Sequence, residues 1–210
     1  MARIKQLVDK SDLPNSRHAE FDAVEGILHR IPDPFGILMW SPGLAGAVAS
    51  AGAQLRLNAV LSPAERELVI LAVSRELDAA YQWASHVPLA RRSGLGEDVL
   101  DCLRTGADAE HLTREIREIV EFVRQLVREN RVNDEVFGTL YEVRGERWLV
   151  ELTATIGQYM YIAAINNAFA VDPVEAVTAG EVDRLALRAP RTAHDNDRVG
   201  DRRPAAEPGS

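Results

Sequence analysis

The spacing of hydrophobic residues predicts a chain built from helices. Between residues 112 and 130, apolar positions recur at intervals of three and four while charged residues take the other positions: Ile116, Ile119, Val120, Val123, Leu126 and Val127. This period is typical of an amphipathic helix with one buried face. β-branched residues elsewhere in the chain also follow helical spacing rather than strand alternation. We therefore predict an all-α fold with about seven or eight helices.

The pattern changes character in residues 61–95, where one predicted helix is apolar on every side. Ser62, Pro63 and Glu65 form a helix start signal, with a capping serine, a proline in the first turn and a capping-box carboxylate. The run LVILAV follows at residues 68–73. A helix that is apolar all round is buried all round, so this helix is expected at the centre of the fold.

Polar chemistry is concentrated on the same stretch. Glu67 directly precedes the apolar run, and a second helix is predicted from about residue 79 to residue 92 after a short turn. That second helix carries Tyr81, Trp83 and His86. A carboxylate, an imidazole and two aromatic residues that can form hydrogen bonds are thus predicted on two adjoining helices.

The remaining chain divides into three regions. Residues 1–40 are expected to form an arm and a helix that pack on the core, and residues 41–170 to form the helical domain. Gly145 is expected to break the last helical stretch into two helices. Residues 171–210 are expected to be weakly structured to disordered, because the chain beyond Arg188 has almost no large apolar residue to bury.

Charge and composition narrow the class of protein. The chain has 210 residues with 27% charged and 46% hydrophobic residues, which are ordinary values for globular proteins. Its net charge of -8 argues against a nucleic-acid partner, since no cation excess is present to neutralise phosphates. No apolar run approaches the length of a membrane helix, and no secretory signal is recognisable. We expect a soluble cytoplasmic protein without a membrane partner.

The central stretch resembles the carboxymuconolactone decarboxylase family, which has an AhpD-like helical bundle. The resemblance is carried by SPAERELVIL, by YQWASH ending at His86 and by VPLARRSGL, and it is strong over residues 41–127. It implies a homo-oligomer, a trimer or a hexamer, that uses no metal or organic cofactor. It also implies that His86 and Glu67 are the catalytic centre and that Tyr81 and Trp83 line a substrate pocket.

The cysteine content selects one branch of this family. The peroxidase-linked branch carries two cysteines, four and seven positions before the histidine, where this chain has Gln82 and Ala79. The redox chemistry of that branch needs a reactive thiolate and a resolving thiol. The only cysteine, Cys102, lies outside the motif and is interpreted as a small buried residue. The chain therefore resembles the cysteine-free, decarboxylase-like branch.

The resemblance implies a cofactor-independent lyase that acts on a small carboxylated lactone or unsaturated acid. Histidine suits the proton transfer because both of its protonation states are accessible near neutral pH. Arg75 or Arg91 is a candidate to bind a substrate carboxylate through two hydrogen bonds. His29 is a further candidate substrate contact, since the first helices are expected to fold over the central pair.

Other interpretations of the same residues stay open. His86 could be a hydrogen-bonded structural histidine, Glu67 the buried partner of an arginine, and Tyr81 and Trp83 plain core residues. The same His/Glu pair could serve an isomerase, a dehydratase or a cyclase, and the chain could also be a non-catalytic oligomeric ligand-binding protein. A metal site is not predicted, because the histidines lack partners at ligand spacing.

Overall fold

The protein is described from a computed structural model, which places residues 2–107 and 110–172. These residues form two short 3-10 turns and then eight α-helices, without a strand: α1 His18–Leu28, α2 Asp33–Leu38, α3 Pro42–Leu57, α4 Pro63–Glu76, α5 Ala80–Arg92, α6 Glu97–Thr105, α7 Arg114–Glu129 and α8 Asp134–Phe169. The prediction of an all-α fold is confirmed for this part of the chain. The weakly structured to disordered tail was predicted at residues 171–210, and its residues from 173 onward lie outside the described part of the chain.

Local sequence signals set the ends of the main helices. The Ser62 hydroxyl accepts a hydrogen bond from the Glu65 amide, and the Glu65 carboxylate accepts one from the Ser62 amide, so the predicted capping box is formed. The side chains of Thr113 and Asn133 each accept one backbone N–H bond and so cap α7 and α8. Gly145 breaks α8 with a φ of 74°, a left-handed value that favours glycine. The predicted break is therefore confirmed.

Helix α4 is the centre of the bundle. It packs against α5, α6, α7 and α8, and all its residues from Glu67 to Ser74 are buried. The large core around it is completed by apolar residues of α5 to α8, including Trp83, Leu103 and Ile119. Because every face of α4 meets another element, burial all round follows from its apolar sequence, as predicted.

The N-terminal region forms a second, smaller core. Leu7, Leu13 and Phe21 pack against Ala45 and Ala49 of α3. Backbone hydrogen bonds fix the region at two places, from the Arg3 amide to the Phe169 carbonyl at 2.8 Å and from the Leu7 amide to the Gly36 carbonyl at 2.9 Å. The segment before α1 is thereby fixed to α2 and to the end of α8.

Some large apolar side chains stay on the surface. Leu57 at the end of α3 is 79% exposed, and Val143 and Val150 of α8 are 73% and 67% exposed. Such residues suit a contact between subunits, but the homo-oligomer stays a prediction. Among the described residues, no helix combines the length and the hydropathy required to cross a bilayer.

Candidate active site

A buried histidine–carboxylate pair joins the two central helices. The Nδ1 of His86 on α5 lies 2.7 Å from the Oε2 of Glu67 on α4, and the two side chains are only 12% and 7% exposed. The short turn between α4 and α5 packs the two helices side by side and brings these residues together. Arg66 adds a cation 3.7 Å from the other carboxylate oxygen. Since Nδ1 is bound to Glu67, the remaining ring nitrogen Nε2 is the one that can meet a ligand.

His86 lines a cavity of about 420 Å³, and Glu67 contacts the imidazole from outside the cavity lining. One stripe of α5 and one stripe of α8 face this space, and α3 with the chain between α1 and α2 closes it. The residues of α5 are spaced three and four apart, so they share one helix face. The lining from the two stripes comprises Gln82, Ser85, His86, Leu89, Gln158, Tyr159, Ile162 and Asn166.

Tyr159 is the nearest aromatic neighbour of the histidine. Its ring meets the His86 ring edge-on, with centroids 5.3 Å apart and planes at 88°. Burial raises the pKa of Tyr159 to about 12, and the Glu67 charge acts in the same direction while Arg56 opposes it. The phenol therefore stays protonated at neutral pH and can donate a hydrogen bond into the cavity.

Two of the predicted substrate contacts also line the cavity. Tyr81 is buried on α5, and burial raises the pKa of its phenol, with the Asp33 carboxylate adding to the effect. His29 ends α1 in a left-handed conformation with a φ of 65° and lies on the exposed rim. The first helices thus fold over the central pair as expected.

Comparison with known proteins agrees with this architecture. Residues 42–125 match the carboxymuconolactone decarboxylase family. The match confirms the resemblance and coincides with the stretch, residues 41–127, in which the sequence places its strongest part. Glu67, His86 and the α5 residues that line the cavity all lie inside the matched segment. No curated protein matches the chain.

Solved structures show the same fold. The debrominase Bmp8 in complex with 2,3,4-tribromopyrrole is 16% identical, with a TM-score of 0.66 over 88% of this chain and 98% of that one. A peroxidase-related protein from Silicibacter sp. TM1040 is also 16% identical, with a TM-score of 0.67 over 85% and 94% of the two chains. An AhpD-core protein from Ralstonia eutropha JMP134 is 18% identical, with a TM-score of 0.66 over 84% and 94%. At these identities the likeness establishes the AhpD-like fold, a scaffold that carries more than one activity.

Trp83 does not line the cavity, so its expected role as a substrate contact is corrected. It is 3% exposed and packs in the large core with Val87 and Ala90. Successive residues of a helix are turned by about 100°. The turn that presents Gln82 and His86 to the cavity therefore directs Trp83 to the core.

Arg75 is likewise placed away from the cavity. Its Nε donates to the Arg104 carbonyl at 2.9 Å, and its Nη1 lies 3.7 Å from Asp78, because it occupies the last turn of α4 beside α6. The alternative cation, Arg91, is paired with Glu97 at 2.7 Å outside this cavity.

The arginines that line the cavity are two that the sequence analysis did not single out. Arg30 and Arg56 line the cavity and are exposed at its rim. Arg30 adjoins the predicted His29, which was a usable signal. No sequence signal pointed to Arg56, because its position relative to the cavity depends on how α3 packs against α8.

The structure also adds neutral polar residues to the site. Gln82 and Asn166 line the cavity and are each only 2% exposed. Gln82 could have been found from the sequence, since it precedes His86 by one helix turn and shares its face. Tyr159 and Asn166 could not, because they belong to a helix distant in sequence.

The described residues hold no group of three or more histidine, cysteine, aspartate or glutamate side chains that could bind a metal ion. Cys102 is buried in α6 and belongs to the large core, in agreement with its interpretation as a small packed residue.

Proposed function

We propose that the protein is a cofactor-independent lyase that removes CO2 from a small carboxylated lactone or related unsaturated acid. The observation that carries this proposal is the 2.7 Å contact between Glu67 Oε2 and the Nδ1 of His86, a histidine that lines the cavity. A nitrogen held by a carboxylate, with its opposite nitrogen directed to a ligand, is the arrangement of a positioned acid–base catalyst.

The reaction needs one proton from the protein. When the bond between the substrate and its carboxylate breaks, CO2 leaves and the electron pair delocalises through the conjugated system as an enolate. The imidazolium form of His86 then delivers its Nε2 proton to carbon, and the neutral ring regains a proton from solvent. Glu67 supports the cationic state of the ring through the Nδ1 hydrogen bond.

A hydrogen-bond donor lies beside His86, where negative charge would develop on the substrate. Tyr159 remains protonated because its pKa is raised to about 12, and its ring touches His86. A preorganised donor in a site shielded from water stabilises an enolate oxygen more than water does. We assign Tyr159 this role.

The rim arginines supply recognition of the acid. Arg30 and Arg56 line the cavity, and guanidinium groups bind carboxylates through paired hydrogen bonds. In this proposal they hold a carboxylate that is retained in the product, so that the bond to the departing carboxylate lies against His86.

The test is turnover of γ-carboxymuconolactone by the purified protein, followed by CO2 release and ultraviolet absorbance. His86→Ala is expected to reduce kcat about 10³-fold, as for removal of a general acid. His18→Ala is the matched control, because that histidine binds the Leu13 carbonyl outside the cavity and should leave kcat unchanged.

Each other outcome removes part of the proposal. Absence of CO2 release by the folded wild type rejects this substrate. Proton exchange with D2O on an unsaturated acid without CO2 release would favour an isomerase instead. If His86→Ala lowers stability and no acid is ever turned over, the non-catalytic binding protein is the better description.

A further inference from the structure

Two buried amides on the cavity wall lack hydrogen-bond partners. Gln82 donates from Nε2 to the Ser74 hydroxyl at 2.9 Å, but its Oε1 has no partner within the described part of the chain. Both Oδ1 and Nδ2 of Asn166 are also without one. Buried polar groups are nearly always paired, and an unpaired one destabilises a fold. Such groups in the wall of a cavity point to a ligand.

The two amides lie at the same end of the cavity. His86 on α5 touches Tyr159 on α8, whereas Tyr81, earlier on α5, packs with Val171, just after α8. Helices α5 and α8 therefore run in opposite directions along the cavity. Because the helices are antiparallel, the beginning of α5 and the end of α8 lie at the same end of the cavity. Gln82 and Asn166 both lie on that side of His86.

The inner and outer parts of the cavity differ in charge. The arginines, Arg30 and Arg56, are exposed at the rim, whereas the amides are buried and carry no net charge. A carboxylate placed at the amides would lose its hydration without a cation in return, which is unfavourable. A neutral group with an acceptor and a donor would instead pair with Asn166 Nδ2 and with the unpaired amide oxygens.

We infer that Gln82 and Asn166 recognise a neutral carbonyl group with an adjacent N–H or O–H donor on an acid substrate. The inference rests on the proposed function for the carboxylate and the reacting carbon. Four residues of helix separate Gln82 from His86, so the neutral group is bound roughly 6 Å along the helix axis from the imidazole. The substrate class is thus a small acid with an amide-like or hydroxy-carbonyl end.

The test is a binding comparison by calorimetry with two acids of the same ring size. The probe 5-oxopyrrolidine-2-carboxylate carries a carbonyl and an N–H, whereas cyclopentanecarboxylate carries neither. We expect the wild type to bind the lactam at least about tenfold more tightly, because a ligand without the polar groups leaves the amides unpaired. Asn166→Leu is expected to reduce this preference to about twofold or less by removing the donor.

Gln158→Leu is the matched control. Gln158 is a cavity amide on the same helix, but its Nε2 already donates to the Val48 carbonyl at 3.2 Å. The preference for the lactam should therefore survive this substitution. The melting temperature separates recognition from a structural role, since an apolar residue in place of an unpaired amide should not lower it. Gln82→Met gives a second variant in which the preference should fall.

The outcomes distinguish this inference from the proposed function. His86→Ala should abolish turnover yet keep the preference for the lactam, so failure of the lyase assay leaves the binding test valid. A wild type that binds the lactam no more tightly than the cyclopentane acid overturns the inference. Survival of the preference in both Asn166→Leu and Gln82→Met would overturn it as well.

Discussion

Two faces of one helix, α5, carry different parts of this protein. The face towards the cavity presents polar groups beside an acid–base pair, and the opposite face presents apolar groups to the core around α4. The cavity face is Gln82, Ser85, His86 and Leu89, and the core face is Trp83, Val87 and Ala90. The adjacent residues Gln82 and Trp83 are almost equally buried, at 2% and 3%, yet only one of them reaches the site.

The difference teaches that burial alone does not identify a functional residue. Burial of Trp83 removes apolar surface from water and stabilises the fold. Burial of an amide with an unpaired oxygen has the opposite sign, because the lost hydration is not replaced. Substitutions on the core face should therefore act on stability, and substitutions on the cavity face on turnover or binding.

The largest expected effect is on the core face. Trp83→Ala should lower the free energy of unfolding by about 3 kcal/mol, since truncation of a buried tryptophan leaves a cavity. Chemical denaturation measures this loss. The kcat of the folded fraction should be unchanged, and Trp83→Phe should recover much of the stability. A large fall in kcat with intact stability would return Trp83 to the site.

The second largest effect is expected from the partner of His86, the central residue of the cavity face. Glu67→Gln keeps the shape of the side chain but removes the charge that supports the imidazolium of His86, and kcat should fall about 10²-fold. Steady-state turnover of γ-carboxymuconolactone measures it. Glu65→Gln is the control, because that carboxylate caps the same helix and does not contact His86. Equal losses of activity in the two variants would contradict the assignment of Glu67.

The third effect is a loss of stability at alkaline pH that comes from Tyr159 in the cavity. The pKa of Tyr159 is about 12 in the folded protein, whereas a tyrosine in an unfolded chain has a pKa near 10. Between pH 10 and 12 the unfolded chain loses this proton first, so stability falls as pH rises, by up to about 1.4 kcal/mol for each pH unit. Below pH 10 both states hold the proton and the contribution is constant.

Tyr159→Phe tests this linkage. The variant should lose this part of the alkaline decline in denaturation midpoints measured from pH 9 to 12, while keeping its packing against His86. Tyr141→Phe is the comparison: the hydrogen bond to Glu146 also raises the pKa of this exposed phenol, but its share of the decline should be smaller because water screens an exposed pair. An unchanged alkaline decline in Tyr159→Phe would show that the phenol is already accessible in the folded state.

The smallest effect compares two arginines. Arg56→Ala should raise KM for the carboxylated substrate about tenfold, because it removes a carboxylate partner from the rim. Arg75→Ala should leave KM unchanged, since that guanidinium binds the Arg104 carbonyl instead. Initial rates over a range of substrate concentrations decide between them. A rise in KM for Arg75→Ala alone would restore Arg75 as a candidate for binding the substrate carboxylate.

The fold was largely predictable because its signals are local. The capping box at Ser62, the cap at Asn133 and the break at Gly145 depend on residues within one turn. The buried position of α4 follows from its unbroken apolar run. The family resemblance added the AhpD-like arrangement, which the match over residues 42–125 and the solved structures support.

The site was predictable only in part. Glu67 and His86 lie on consecutive helices, so a short turn was enough to suggest their contact. The expected role of Trp83 was wrong because both faces of α5 are buried. Which face lines the cavity depends on the helices that cover it. The expected role of Arg75 was wrong because this residue is close to Glu67 and His86 only in sequence. Its position in the last turn of α4 directs its side chain away from the cavity.

The sequence by itself determined the helices, their ends, the central position of α4 and the pairing of a carboxylate with an imidazole on adjoining helices. Only the tertiary structure decided that Tyr159, Asn166, Arg30 and Arg56 line the same cavity as His86. The physical reason is that helix formation depends on neighbours within a few residues. A cavity, in contrast, is the space left where faces of distant helices fail to meet, and its lining is known only once those helices are packed.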